Sequence, residues 1–278
     1  MNFSPAKWRL LITSPAHGAW NMAVDEALLE SSSQDRTIST LRMYAWEPAC
    51  LSLGYAQPHS DVDVQALEKQ GWELVRRPTG GRAILHVDEL TYSVTGPESE
   101  PRLAGSILES YRTLSRALLT ALINLGIPAK ALPKSVGGGD PGTAEQNPVC
   151  FEVPSNYEIT VDGKKLVGSA QARRRGGVLQ HGSLPLYGDI QRIIGVLVFP
   201  DQEHRQQAAQ RLMQRATTVE QVLGKRISWV EAAQSMTSAF RQTLNLELVA
   251  SELTSAELER IDQLLQEKYA NPSWNAKM

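Results

Sequence analysis

The alternation of apolar and polar residues predicts strands in the middle of the chain and helices towards its end. Period-two alternation places successive side chains on opposite faces of a sheet. It predicts strands over residues 8–13, 40–46, 50–55, 72–76, 83–86, 90–94, 157–161, 164–173 and 178–184. The three strands between residues 72 and 94 are expected to form a meander around a turn at Gly80 and Gly81. Because the strands cluster and do not alternate with helices, the pattern favours an α+β fold over successive βαβ units.

Apolar residues at helical spacing predict two helices in the first half of the chain. Residues 21–30 are expected to form an amphipathic helix. Residues 107–125 give the clearest helical pattern, and Gly126 stands where a helix commonly ends. A hydroxyl residue followed three positions later by an acidic one resembles the capping box that begins many helices. This pattern occurs at Ser60/Asp63, Thr217/Glu220, Ser228/Glu231 and Thr254/Glu257.

Turn residues divide the second half of the chain. Asp162 and Gly163 stand between two predicted strands and are among the strongest two-residue hairpin signals. Residues 133–148 are rich in glycine and proline and lack periodicity, and a loop of that length is usually functional or disordered. A weak boundary near residue 250 predicts a main domain over residues 1–250, with a helical extension over residues 251–278 packed on it.

Composition narrows the classes of protein to which the chain can belong. A chain of 278 residues with 42% hydrophobic content can bury a core, and a net charge of −2 does not suit a general nucleic-acid binder. No signal-peptide pattern or bilayer-length apolar run is visible, so a cytoplasmic protein is expected. Two widely spaced cysteines, without a Cys-x-x-Cys or histidine-rich cluster, predict neither a disulfide framework nor a metal site.

Cys150 has two possible roles. Free cysteines are mostly small buried hydrophobic residues, and that role is expected for Cys50 in its apolar strand. Cys150 instead follows the glycine- and proline-rich loop and precedes the strand that carries Lys165. If that lysine lies nearby, its positive charge lowers the pKa of the thiol from about 8.5 and produces an activated nucleophile.

The strand over residues 164–173 has an unusually polar face. Strict alternation places Lys165, Ser169, Gln171 and Arg173 on one side of it. These side chains form a solvated surface in one interpretation, and in the other Lys165 points into a pocket. Alternation alone leaves both interpretations open.

Residues 76–86 allow a further pair of interpretations. Gly80 and Gly81 follow two arginines, and they either let a ligand approach bare backbone or simply turn a hairpin. They do not form a phosphate-binding Walker loop, because no lysine follows the glycines. His86 and His181 could each hydrogen-bond a reacting carbonyl, although a structural role in the core is the simpler interpretation.

Four segments together resemble the lipoate–biotin protein ligase superfamily. They are residues 76–86 (Arg-Arg-x-x-Gly-Gly-Gly-x-x-x-His in the superfamily), residues 165–171 (Lys-hydrophobic-x-Gly-Ser-Ala-Gln), residues 179–184 and residues 268–275. The resemblance spans roughly residues 8–275, with the motifs in the superfamily's order. It implies an α+β catalytic domain of mixed and antiparallel sheets flanked by helices, with a short helical C-terminus.

Within the superfamily, the chain resembles the cysteine-dependent octanoyltransferases. Residues 148–155 carry their Pro-Val-Cys-Phe-Glu-x-Pro-Ser pattern. Arg82 replaces the third glycine of the ligase motif, and Val87 replaces the acidic residue that often follows the histidine. Both departures disfavour the ATP-using ligases.

This resemblance implies a two-step transfer of octanoyl from acyl carrier protein to a lysine of the glycine cleavage H protein or another lipoyl domain. Cys150 would carry the acyl-thioester, while Lys165 would lower the pKa of that thiol and contact the carbonyl. No cofactor, metal, nucleic acid or membrane is expected. The residues expected to bind substrate are Arg77, Gly80, Gly81, His86, Gly168, Ser169 and Ala170.

Three rival functions remain at this point. The chain could be an ATP-dependent lipoate–protein ligase in which Cys150 is incidental, an amidotransferase between lipoyl domains, or a non-catalytic acyl or carrier-protein binding module. Separately, Arg173, Arg174 and Arg175 are either a solvated hairpin end or a basic cluster that steers acidic protein substrates.

Overall fold

Two β-sheets carry the fold of the protein, whose computed structural model describes residues 3–32, 38–133 and 157–277. Cys150 and nearly all of the predicted loop at 133–148 lie outside these residues. The strands are β1 (Ala6–Ile12), β2 (Thr40–Tyr44), β3 (Cys50–Leu53), β4 (Glu73–Arg76), β5 (Ile84–His86), β6 (Glu89–Pro97), β7 (Lys130–Pro133), β8 (Tyr157–Val161), β9 (Lys164–Arg174), β10 (Gly177–Pro185) and β11 (Leu246–Ala250). The large sheet has the strand order β11–β1–β2–β6–β10–β9–β8–β7, and the small sheet has the order β4–β3–β5.

Parallel and antiparallel pairs occur in both sheets. Strand β1 pairs in parallel with β2 and β11, and β3 pairs in parallel with β4, whereas the other neighbours are antiparallel. The predicted α+β fold with mixed sheets is therefore confirmed. The predicted meander is wrong, because β4 and β5 both pair with β3 and β6 joins the large sheet. Strand β11 falls in a region that was expected to be mostly helical.

Helices cover both sides of the large sheet. They are α1 (Gly18–Ser32), α2 (Val64–Lys69), α3 (Ile107–Asn124), α4 (Gln202–Arg215), α5 (Val219–Leu223), α6 (Trp229–Leu244), α7 (Ser255–Leu264) and α8 (Pro272–Asn275). The helix predicted over residues 21–30 is present as α1, but the prediction that it is amphipathic is wrong. Every residue from Asn21 to Leu29 is buried. Helix α1 packs against β6, β10, β4 and α7. No helix in the described ranges is long and apolar enough to cross a membrane.

The helix ends test the predicted capping boxes. Two of the boxes are present, at Ser228/Glu231 and Thr254/Glu257. The other two are wrong. Helix α2 is capped by Asp63, whose side chain accepts from the Ala66 amide, so Ser60 is not its cap. Helix α5 is capped by Thr218, and the amide of Thr217 donates instead to the Lys165 carbonyl.

Short turns link the strands that carry the site. Asp162 and Gly163 both have positive φ (49° and 78°), as a type I′ hairpin turn requires, so the predicted β8–β9 hairpin is confirmed. Arg175 and Gly176 make a similar turn between β9 and β10 (51° and 80°). Three adjacent strands, β8, β9 and β10, are thereby held in fixed register beside β6.

Candidate active site

A cavity of about 760 Å³ opens between the two sheets. Its walls come from the ends of β2 and β3, the β4–β5 loop, β9 and β10. Every predicted site residue that the structure describes lines this cavity: Arg77, Gly80, Gly81, His86, Lys165, Gly168, Ser169 and Ala170. The fold thus brings together two segments, residues 77–86 and 165–170, that lie far apart in sequence. The remaining predicted residue, Cys150, lies outside the described ranges.

Lys165 reaches the cavity because β9 contains a bulge. Ile159 pairs with Val167 and the next residue, Thr160, pairs with Lys165, so Leu166 is an extra residue on β9. Leu166 packs into the main core, and Lys165 lines the cavity on the opposite side. The bulge breaks the strict alternation on which the predicted face of this strand depended.

The other polar residues of that predicted face are directed towards α3. Gln171 and Arg173 both contact the Ser110 hydroxyl, at 3.1 and 2.9 Å. Ser169 shares a 2.8 Å hydrogen bond with the Tyr92 hydroxyl. The prediction that these residues share one face with Lys165 is therefore wrong. Their hydrogen bonds fix β9 against the helix.

The ammonium group of Lys165 is paired inside the protein. Its Nζ lies 3.1 Å from Glu158 Oε1, and the lysine side chain is only 4% exposed. A buried charge is tolerated when it is paired. In such low-dielectric surroundings a positive charge acts on an anion in the cavity more strongly than a surface lysine would.

Arg77 holds the glycine-containing β4–β5 loop in place. Its guanidinium donates to the carbonyls of Ser52 (3.0 Å), Gly80 (2.9 Å) and Arg82 (2.8 Å). Gly81 adopts a φ of +100°, which disfavours any residue with a side chain. At Gly80 an added Cβ would meet no atom within 4 Å. The loop therefore presents open backbone at the mouth of the cavity.

His86 is fixed on three sides. Its ring nitrogens lie 2.7 Å from Ser52 Oγ and 2.7 Å from Glu89 Oε1. The ring stacks on Trp46 at 4.0 Å between centroids. Glu89 also accepts hydrogen bonds from the hydroxyls of Thr91 and Ser183. This network sets the position and orientation of the imidazole at the cavity wall.

Sequence reasoning missed a second histidine network at the same cavity. His181 Nδ1 lies 3.0 Å from Asp25 Oδ2, and its Nε2 lies 2.7 Å from Thr79 Oγ1. Asp25 also accepts from Arg42 and Tyr44, both at 2.9 Å. The polar residues within the otherwise apolar α1 segment were the available signal. They were overlooked because α1 was expected to have a solvated side.

The charges of this second network are set by burial. Burial lowers the pKa of His181, and the bond to Asp25 opposes the shift without reversing it. Burial alone would raise the pKa of Asp25, but the hydrogen bond from His181 and the charge of Arg42 lower it overall. At neutral pH the pair is therefore a neutral imidazole beside a carboxylate.

Arg76 joins the cavity rim to the end of the chain. Its guanidinium donates to the carbonyls of Gly54 (2.9 Å) and Gln57 (2.5 Å), and also to those of Trp274 (3.2 Å) and Asn275 (2.8 Å). We refer to residues 272–275 as the C-terminal strap. Through Arg76 the strap fixes residues 54–57, three of which line the cavity.

Cys50 has the packing role that its sequence predicts. It is fully buried against Gly18 in the core around α1. Burial, together with the negative charges of Glu73 and Glu89, raises the pKa of this thiol well above its ordinary value. Cys50 is therefore a poor nucleophile.

The arginine run at the β9–β10 turn has divided roles. Arg173 donates to the carbonyls of Leu103 and Gly105, so it is a structural residue. Arg174 lines the cavity and donates to the Pro78 carbonyl at 3.2 Å. Of the three arginines, only Arg175, at the tip of the turn, is exposed.

Comparison with known proteins relates this site to lipoylation enzymes. Residues 17–241 match the family model described as the lipoyl protein ligase A/B catalytic domain. The octanoyltransferase LipM of Kyrpidia tusciae is 41% identical over 269 residues, covering 96% of this chain and 98% of that protein. The octanoyltransferase LipM of Bacillus subtilis is 36% identical over 272 residues, covering 97% and 98%.

A solved structure shares the architecture. The bipartite lipoate protein ligase of Thermoplasma acidophilum superimposes with a TM-score of 0.80 at 26% sequence identity. The match covers 98% of this chain and 96% of that one. The two proteins therefore share one overall fold.

Proposed function

We propose a function from one premise: the chain belongs to the octanoyltransferase LipM family and carries the lipoyl protein ligase A/B catalytic domain. It is therefore an acyltransferase, and its reaction is octanoyl transfer in lipoate biosynthesis. This membership removes the interpretation of a binding module without catalysis.

The donor is octanoyl-acyl carrier protein, and the reaction has two steps. The Cys150 thiolate attacks the thioester carbonyl, the carbon–sulfur bond to the phosphopantetheine arm breaks, and the carrier thiol leaves. A lysine amine of the glycine cleavage H protein then attacks the acyl-enzyme, forming the amide and releasing Cys150. Splitting the transfer lets two protein substrates use one site in turn. ATP is unnecessary because the donor thioester is already activated.

The observation that carries the proposal is the buried Lys165 on the wall of a partly apolar cavity. A fixed positive charge there stabilises a thiolate and the oxygen of a tetrahedral intermediate. Met22, Tyr44, Trp46 and Ile84 line the same cavity and offer apolar contact to an alkyl chain. At about 0.8 kcal/mol per buried methylene, an octanoyl tail gains roughly 5 kcal/mol of binding.

Intact-mass spectrometry after incubation with octanoyl-carrier protein tests the proposal. The mass of the protein should rise by one octanoyl group, which hydroxylamine should remove because it cleaves thioesters. Cys150→Ala should take up no label. Cys50→Ala removes the other, buried thiol and should label like the wild type. Labelling that persists in Cys150→Ala would contradict the mechanism.

The second candidate is an ATP-dependent lipoate–protein ligase, which the structural match to the T. acidophilum ligase favours. Two assays separate the octanoyltransferase from the ligase: one supplies octanoate and ATP, and the other supplies octanoyl-carrier protein without nucleotide. Only octanoyl-carrier protein should lead to modification of the H protein. An amidotransferase would instead take octanoyl from modified H protein and pass it to other lipoyl domains.

A further inference from the structure

A buried chain of hydrogen bonds ends at the cavity in the hydroxyl of Thr79. It runs from Asp25 on α1, through His181 on β10, to Thr79 in the β4–β5 loop. Thr79 and His181 line the cavity. Thr79 is 1% exposed, His181 is 6% exposed and Asp25 is fully buried. Such burial keeps water from replacing any of these bonds. The proposed two-step reaction assigns no task to this chain.

The direction of each hydrogen bond follows from the surrounding charges. The groups that face His181 are Asp25 from α1, Arg77 and Thr79 from the β4–β5 loop, and His86 from β5. Those that face Asp25 are Arg42 and Tyr44 from β2, Ser93 from β6 and His181. With Asp25 a carboxylate and His181 neutral, Nδ1 carries the proton and donates to Asp25. Nε2 is then an acceptor, so Thr79 donates its hydroxyl proton to His181.

We infer that Thr79 and His181 accept the proton that the acceptor lysine loses when the amide forms. As the neutral amine attacks the acyl carbonyl, a carbon–nitrogen bond forms and the nitrogen becomes positively charged. Its proton passes to Thr79 Oγ while the Thr79 hydroxyl proton moves to His181 Nε2. The carbon–sulfur bond breaks, Cys150 leaves as a thiolate, and the imidazolium beside Asp25 returns its proton to that thiolate. This inference rests on the proposed function.

The two half-reactions need this proton acceptor to different extents. The first exchanges one thiol for another and involves no amine. The second produces an acidic ammonium that must lose its proton before the products separate. General base catalysis of this kind contributes about 10²- to 10⁴-fold. Thr79 touches the reacting nitrogen, while His181 and Asp25 act through it as positioning residues.

The test measures each half-reaction separately. Octanoylated enzyme is freed of carrier protein and mixed with H protein between pH 6.5 and 9.5, and loss of the acyl group is followed by intact mass. Thr79→Val should slow this step about 100-fold at pH 7. The deficit should shrink towards pH 9.5, where hydroxide takes the proton. Thr79→Ser keeps the hydroxyl and should restore the rate to within a few-fold.

Controls separate this role from a structural one. Acylation of Thr79→Val by octanoyl-carrier protein should stay within a few-fold of wild type. Thr237→Val removes a hydroxyl that donates to the Ala233 carbonyl within α6 at 2.8 Å, away from the cavity, and should leave deacylation unchanged. Equal loss in both half-reactions, a comparable loss in Thr237→Val, or normal deacylation of Thr79→Val would each overturn the inference. If the wild-type enzyme takes up no octanoyl, the proposed function is overturned together with the inference. If it takes up octanoyl but one of the three results above is found, only the inference is overturned.

Discussion

At the scale of single residues, the cavity and its surroundings contain several buried charges. Lys165 is paired with Glu158, and Asp25 is bonded to Arg42 and His181. Even a paired buried charge contributes little net stability, because removing it from water costs free energy. Buried charges at a cavity are therefore candidates for a functional role. The Lys165–Glu158 pair gives a prediction in which the charge changes but the volume changes little.

The Lys165–Glu158 pair predicts opposite effects of two substitutions. In the proposed mechanism Lys165→Met removes a positive charge beside the Cys150 thiolate, so it should raise the pKa of that thiol. Glu158→Gln removes a negative charge, so it should lower the same pKa. We expect the pH profile of iodoacetamide alkylation, measured in a Cys50→Ala background, to move by about one pH unit in each direction. Shifts of the same sign in both variants would contradict the proposed proximity of Lys165 to Cys150.

The two glycines of the β4–β5 loop predict different outcomes. Gly81→Val forces a β-branched residue to a φ of +100°, so its loss of activity would include backbone strain. Gly80→Val adds a side chain in open space beside the cavity, so it should keep the melting temperature and lower octanoylation at least about tenfold by blocking the mouth. Gly195→Val, at an equally open position outside the cavity lining, is the matched control. Full activity of Gly80→Val would reduce the glycines to a turn.

At the scale of elements, local signals in the sequence were sufficient where the structure is local. The β8–β9 hairpin follows from Asp162 and Gly163, and the end of α3 follows from Gly126. Elements defined by distant partners were missed. Strand β11 is visible only through its pairing with β1, and the pairing of β4 and β5 with β3 leaves no local trace. The bulge at Leu166 is likewise set by the packing of β9 between β8 and β10.

The C-terminal strap gives a prediction at this scale. Asn275 accepts from the Arg76 amide at 2.8 Å and donates to the Leu74 carbonyl at 3.2 Å. Asn275→Ala loses both bonds, which at about 1 kcal/mol each lowers the melting temperature by roughly 4–8 °C. Hydrogen exchange should also quicken at residues 54–57, because Arg76 holds them. Glu259→Ala, at an exposed site on α7, should change neither quantity, and unaltered exchange in Asn275→Ala would separate the strap from the cavity rim.

At the scale of the whole molecule, the family and the cavity could be predicted from sequence, but the geometry could not. The resemblance based on four motifs is confirmed by the family match over residues 17–241 and by the near full-length octanoyltransferase relatives. The motifs identify the site residues one by one in the sequence, and eight of these residues line one cavity. The Asp25–His181–Thr79 chain was missed because its members come from three elements whose contact depends on the complete fold. The roles of the site residues stay predictions.

Long-range charge gives the final prediction. With a net charge of −2 over the chain, the exposed Arg175 beside the cavity rim is a local positive site for acidic protein substrates. Arg175→Glu should slow acylation by octanoyl-carrier protein several-fold at low salt and have less effect as salt rises, because steering is screened. Acylation by octanoyl-pantetheine should be unaffected. Arg241→Glu, an exposed arginine on α6, controls for net charge, and equal slowing in that variant would remove the local role of Arg175.

The pairing of β1 with β11 has a consequence for folding during synthesis. Ala6 lies beside Leu246, so β1 cannot pair with its second neighbour until the ribosome has added 240 further residues. The rim of the cavity waits longer still, since Arg76 is anchored by residues 274 and 275. A nascent chain therefore carries the motifs of the site long before it has the site itself. The complete cavity rim therefore cannot form before residue 275 has been synthesised.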